Sequence, residues 1–306
     1  GLALSEQGLT NPYKFGLAAA SDTHVAAGSY NEENFFSKIG ILDGTPELRG
    51  SVPYNWLLAK TAKIFRPEAF AEINGKDYLA FSNRLIGFSA SGLTGVWAEE
   101  NTREDIYDAL RKKETFATSG PRIKVRFFSG YEFKDSKLSD LNLIEKAYVD
   151  NLSMGSTINI EEGKKPKFLI WAIADPLGAP LQRIQIIKGW LEDGEHKEKV
   201  YDVACSDGLI VNSSNYRCPD NGAKVNIETC SIPKNIGASE LKSFWKDPDF
   251  LEDQKAFYYV RVLENPVCRW STWDSIRAGV KPRSDIPSTI QERAWTSPIW
   301  FEPSNS

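Results

Sequence analysis

Beyond Gly120-Pro121 the chain becomes a succession of short strand-like runs separated by turn clusters, and that spacing limits the fold more than any other feature. The runs are Ile123–Phe128, Phe168–Ala174, Arg183–Trp190, Lys199–Cys205, Ala223–Thr229, Phe257–Leu263 and Ala294–Phe301. Asp175-Pro176-Leu177-Gly178 and Pro219-Asp220-Asn221-Gly222 are turn chemistry between them. Strands at such intervals predict a β-sandwich over residues 121–306, interrupted by one helical stretch near Leu138–Tyr148. Residues 1–120 read differently, as alternating helix and strand. A helix ends near Leu2–Gly8, a strand covers Tyr13–Ala20, and a helix covers Trp56–Phe65. Residues 25–54 are loop-like, with breakers at Gly28, Gly40, Gly44, Pro46, Gly50 and Pro53. A second strand, Leu93–Ala98, precedes a helix with a capping pair at Thr102 and Asp105 and basic residues in its last turn. The expected class is therefore α/β plus all-β, with a boundary at 120.

Bulk properties exclude two kinds of partner. Net charge is −4, and no basic patch alternates with aromatic residues, so nucleic acid is not expected. The longest strongly apolar stretch is Phe168–Ala174, too short to span a membrane. The first residue is Gly1 and the only methionine is Met154, so the chain is expected to follow an upstream segment of the same protein. Cys205, Cys218, Cys230 and Cys268 contain no C-x-x-C pair, which argues against a zinc ribbon. An even number of cysteines among turn residues predicts two disulfides and an oxidising compartment. Three pairings are open; the expectation is Cys218 with Cys230 and Cys205 with Cys268.

Ser21-Asp22-Thr23-His24 closes the apolar run Phe15–Ala20 and carries one of two histidines. On extended backbone, Asp22 and His24 share a face because side chains alternate with period two. A carboxylate and an imidazole side by side are metal-competent, although a catalytic site usually takes at least three protein ligands. The ordinary alternative is a strand-end turn with both side chains hydrogen-bonded locally. His196 lies in a charged run that reads as solvated loop. Glu99 follows the second strand, where another loop can contribute to a site; an exposed acidic turn is the plainer reading. Thr118, Ser119 and Arg122 belong to a hydroxyl-rich turn able to present N–H groups and a guanidinium to an oxyanion. Cys268–Trp273 reads either as an aromatic stacking platform or as sandwich core.

The order of several blocks resembles a known family. Asn11–Gly16 leads into Ser21–His24 and Glu32–Phe36; Ala90–Gly130, Ile184–Trp190, Val200–Gly208, Cys218–Ala223, Ala256–Trp273 and Ile290–Trp300 follow. Together they resemble the C-terminal portion of the mainly bacterial domain-of-unknown-function 3604 family, related to the polymerase-and-histidinol-phosphatase (PHP) metallohydrolases. That resemblance implies the last part of a distorted (β/α) barrel over residues 1–120, followed by the sandwich. It implies two or three divalent ions, Zn, Mn or Fe, with Asp22 and His24 matching the late D-x-H ligand motif. The early H-x-H ligands are expected upstream of Gly1. Glu99, Thr118, Ser119 and Arg122 are then expected to line the pocket of a small-molecule ester substrate of the phosphate, sulfate or carbamate class. A homo-oligomer and a periplasmic or secreted location complete the expectation. The contrasting expectation is a non-catalytic module that binds a carbohydrate or protein partner on the sandwich.

Overall fold

The alternation of β12 (Ala256–Glu264) sets the geometry of the core: Ala256, Tyr258, Val260 and Val262 are buried, while Phe257, Tyr259 and Arg261 are half-covered. In chain order the strands before it are β1 (Phe70–Ile73), β2 (Lys76–Leu79), β3 (Leu93–Val96), β4 (Thr115–Thr118), β5 (Lys124–Gly130) and β6 (Leu152–Ser153). They continue with β7 (Thr157–Ile160), β8 (Lys167–Ile173), β9 (Leu181–Glu192), β10 (Glu195–Cys205) and β11 (Glu240–Trp245). After it come β13 (Val267–Cys268), β14 (Thr289–Ile290), β15 (Arg293–Thr296) and β16 (Ile299–Pro303). The helices are α1 (Leu2–Glu6), α2 (Trp56–Phe65), α3 (Arg103–Lys112), α4 (Leu143–Asp150) and α5 (Trp270–Arg277). This computed structural model describes residues 1–26, 30–79, 85–131, 133 and 137–304. Gly28, expected as a loop breaker, lies outside the described residues.

An eight-stranded sheet runs β10-β9-β12-β15-β4-β3, with β16 and β7 added beside β12; a four-stranded sheet runs β11-β8-β5-β6. Their inner faces meet around Phe168, which contacts Phe127 across 5.8 Å, Tyr258 across 4.8 Å and Phe301 across 5.7 Å. Ile184, Ile186 and Val260 of the larger sheet pack with Val125 and Ile170 of the smaller in the same cluster. Two sheets thus share one apolar core in a sheet-rich fold.

The barrel expectation is not supported: among the described residues no closed barrel is present. A (β/α) barrel needs a helical crossover between parallel strands. Here α3 connects β3 to β4, yet those strands pair antiparallel. On its other side β4 pairs with β15, Thr118 opposite Ala294 and Phe116 opposite Thr296, so one sheet spans position 120. All four residues of β4 are buried.

Other local corrections have clear causes. Residues 14–20 form no strand, because hydroxyl groups take the place of a backbone ladder, as described below. Ala223–Thr229 lies in the irregular 206–239 segment, where Asn226 forms only an isolated bridge with Ser231. His196 sits exposed on β10 rather than in a loop. The disulfides are Cys205–Cys218 and Cys230–Cys268, not the expected pairs. Asp202 on β10 accepts from Cys218 N–H at 2.7 Å, drawing that turn back to the strand that ends in Cys205. Cys230 is thereby left to β13.

Candidate functional site

Residues 14–20 reach the larger sheet through side-chain hydroxyls. Leu17 N–H donates to Ser297 Oγ at 2.8 Å, and Thr115 Oγ1 donates to Leu17 O at 2.7 Å. Thr94 Oγ1 accepts from Ala19 N–H and donates to Ala19 O. Gly92 permits this approach, since a Cβ there would lie 2.9 Å from Ala20 O. The segment then turns at Asp22, whose φ of 52° is in the left-handed region. Period-two alternation therefore stops at Asp22 and is not what brings it near His24. The turn nevertheless sets both side chains on the wall of one cavity of about 420 Å³, with Lys38 and Ser119.

His24 is held at two points. Its N–H donates to Lys38 O at 2.7 Å, and Nδ1 lies 3.0 Å from Asp22 O. A carbonyl only accepts, so Nδ1 is the donor, and the neutral tautomer that fits this contact has its lone pair on Nε2, the arrangement typical of a metal-ligating histidine. Asp22 supplies a hard carboxylate oxygen to the same wall. This donor pair fits part of a divalent-metal site. Among the described residues no group of three or more His, Cys, Asp and Glu side chains is placed to hold an ion, so the pair alone is an incomplete set. Lys38 is buried and donates to Ser21 O and Ala90 O. Burial lowers the pKa of its ammonium, opposed by the charges of Asp22, Glu32 and Asp43.

Of the other predicted residues, only Ser119 joins this cavity. Its Oγ donates to Glu292 and accepts from Arg293 N–H at 2.9 Å, so the hydroxyl is already engaged. Thr118 is buried in β4, where its Oγ1 accepts from Gly120 N–H. Glu99 is exposed in the loop before α3, outside the cavity wall. Arg122 lies over the Tyr30 ring at 5.0 Å and lines a separate cavity of about 480 Å³. Of the two readings of Cys268–Trp273, core holds for Trp270, which is buried in the first turn of α5 and stacked on Phe35 at 4.5 Å.

Sequence reasoning missed Lys38, Glu32, Glu264 and Glu292. Glu32 accepts from Ala90 N–H and from Trp270 N–H, the latter an otherwise unpaired donor at the start of α5. Burial raises its pKa. Two of the missed residues had a signal. Glu264 continues the inward phase 256-258-260-262, and Glu292 that of Ala294 and Thr296. A carboxylate at an inward-facing strand position calls for a partner or a proton.

No curated protein and no solved structure matches this chain. The family model described as protein of unknown function, DUF3604, matches residues 1–303. With nearly its whole length inside that match, the chain belongs to the DUF3604 family.

Proposed function

We propose that the protein is a metal-dependent hydrolase of ester-type bonds, of the phosphate, sulfate or carbamate class, in which Asp22 and His24 hold part of a divalent-metal cluster. The observation that carries this reading is the wall shared by the Asp22 carboxylate and an imidazole whose Nδ1 is tied to a carbonyl. An oxygen and a nitrogen donor together suit Zn, Mn or Fe. Ions held there would supply hydroxide at neutral pH and polarise the scissile bond. Lys38 adds positive charge to the same wall, toward which an anionic group of the substrate is drawn. On this reading the remaining ligands, an H-x-H pair among them, come from a segment upstream of Gly1, and the kinship with PHP metallohydrolases belongs to the same proposal. A periplasmic or secreted location fits the two disulfides; among the described residues no helix is long and apolar enough to cross a membrane.

In the full-length protein, Asp22→Ala and His24→Ala are expected to lower metal content and abolish turnover of an activated ester, with the unfolding midpoint unchanged. A double variant that keeps both metal and turnover overturns the reading. A second reading, a binding module, is favoured by one feature. Tyr13, Phe15, Phe257, Tyr259, Trp295 and Trp300 line a groove of about 620 Å³ on the larger sheet. Aromatic faces of this kind can pack against the apolar face of a sugar or an apolar partner. Saturable oligosaccharide binding by a metal-free full-length protein would decide for it.

A further inference from the structure

Glu264 and Glu292 oppose each other across neighbouring strands, and both are buried, at 1% and 4% exposure. Leu263 pairs with Arg293, and Glu264 N–H donates to Glu292 O at 3.0 Å, which extends the register by one residue. Directly opposed side chains share one face of the sheet, and like charges in that position are destabilising. Both line the cavity of about 480 Å³ that contains Arg122, which shares no lining residue with the Asp22 cavity. Burial pushes both carboxyls up to about 8.

The polar groups of this cavity are largely spoken for. Asp175 accepts from Arg122 N–H and Leu177 N–H, Glu32 is filled as described, and Lys234 donates to Gly178 O. Glu292 Oε2 accepts from Ser119. Glu264 Oε2 accepts from Ala179 N–H at 3.3 Å, while its Oε1 is buried with no hydrogen-bond partner. A buried acceptor without a donor is costly. The acidic residues of the wall, Glu32, Glu33, Asp175, Glu264 and Glu292, outnumber the cations Arg122 and Lys234.

We propose that this cavity binds a small organic cation, a primary ammonium or a guanidinium, whose N–H groups satisfy Glu264 Oε1 and whose charge sits between Glu264 and Glu292. A metal ion fits less well, because no group of three or more ligating side chains is assembled among the described residues. The volume suits a small ligand. Trp273 offers the wall an apolar surface for the alkyl part, and the Cys230–Cys268 disulfide fixes the side that carries Lys234. Glu292, Asp175 and Lys234 face Glu264, while Glu32, Ser119, Arg269 and Arg293 face Glu292. Binding a monocation ionises one carboxyl of the pair and releases its proton.

Isothermal titration of the oxidised protein with n-butylammonium and methylguanidinium tests the assignment, with n-butanol and calcium chloride as controls. The expected result is saturable binding of at least one cation with Kd near or below about 1 mM. Glu264→Gln should weaken it at least about tenfold, while Asp22→Ala leaves it unchanged. Heats measured in buffers of different ionisation enthalpy should report release of up to about one proton in the wild-type protein, a readout that needs no variant. Absence of saturable binding, equal binding by Glu264→Gln, binding without proton release, or binding of calcium in place of both organic cations overturns the proposal.

Discussion

Replacing Asp274 by alanine should be among the most damaging single changes in this protein, although the residue lies outside both candidate cavities. Arg49 Nε and Nη2 donate to the two oxygens of Asp274 at 2.7 and 2.6 Å, and Ser51 Oγ donates to Oδ2 at 2.5 Å. The side chains are 7% and 3% exposed. This pair joins the irregular 37–54 segment, which carries Lys38, to α5. Arginine does not shed its proton, so Asp274→Ala leaves a buried guanidinium without its counter-charge. Breaking such a pair from one side costs roughly 3–5 kcal/mol. Arg49 keeps its bond to Phe36 O and its position over the rings of Phe35 and Trp270, which places the expected loss near the lower end, about 3 kcal/mol. The double change Arg49→Met with Asp274→Ala removes the orphaned charge and should cost less than the sum of the single changes by roughly 2 kcal/mol. Urea unfolding followed by circular dichroism measures all three variants, with an unchanged slope as the check on two-state behaviour. A loss below about 1 kcal/mol for Asp274→Ala, or an additive double variant, would refute the reasoning.

Three further outcomes are expected. Glu264 and Glu292, held near 8 against an ordinary value of 4.5, bind protons in the folded state that the unfolded chain releases, so stability is greatest below about 4.5 and falls as pH rises through about 8. The stability of Glu292→Gln relative to wild type should therefore grow between pH 5 and 8, by up to roughly 1.4 kcal/mol per unit; a difference that does not vary with pH sinks the claim. Non-reducing peptide mapping should return Cys205–Cys218 and Cys230–Cys268, and serine pairs at these positions should cost roughly 3 and 4 kcal/mol, from loops of 13 and 38 residues; a Cys218–Cys230 peptide contradicts the fold described. Gly120→Ala should lose roughly 1–3 kcal/mol in a thermal melt, because φ is 146° and a Cβ would meet Tyr30 O at 2.6 Å; an unchanged midpoint means that turn is not constrained.

The legible parts of this fold were those whose cause is local. Trp56–Phe65 was readable as a helix from its spacing, and Asn55 caps it by accepting from Leu57 and Leu58 N–H. For α3 the Thr102–Asp105 pair was a visible start, and Thr102 Oγ1 does accept from Asp105 N–H. Strands β5, β8, β9 and β12 were visible because apolar residues recur there in the runs that a sandwich core requires. The α5 helix was obscured, since Cys268–Trp273 resembles aromatic-rich strand or platform, and its first N–H is satisfied by Glu32, more than two hundred positions earlier.

The candidate site was legible only as residue types. Asp22 and His24 do meet at one cavity, but through a left-handed turn rather than strand alternation. Ser119 and Arg122, three positions apart, part company because Gly120 turns the backbone between them. No local pattern announces such divergence.

Sequence alone determined the alternating cores of the long strands, the span of the second helix, the cap of the third, and the presence of four cysteines able to form two bridges, because each depends on residues within a few positions of one another. Tertiary structure decided which cysteines pair, that β4 lies between β3 and β15 in one sheet, and that the buried Glu264 and Glu292 oppose each other on the wall of one cavity. Those outcomes depend on contacts between distant segments, whose register is set by which apolar faces must be covered together, and no stretch of the chain carries that information by itself.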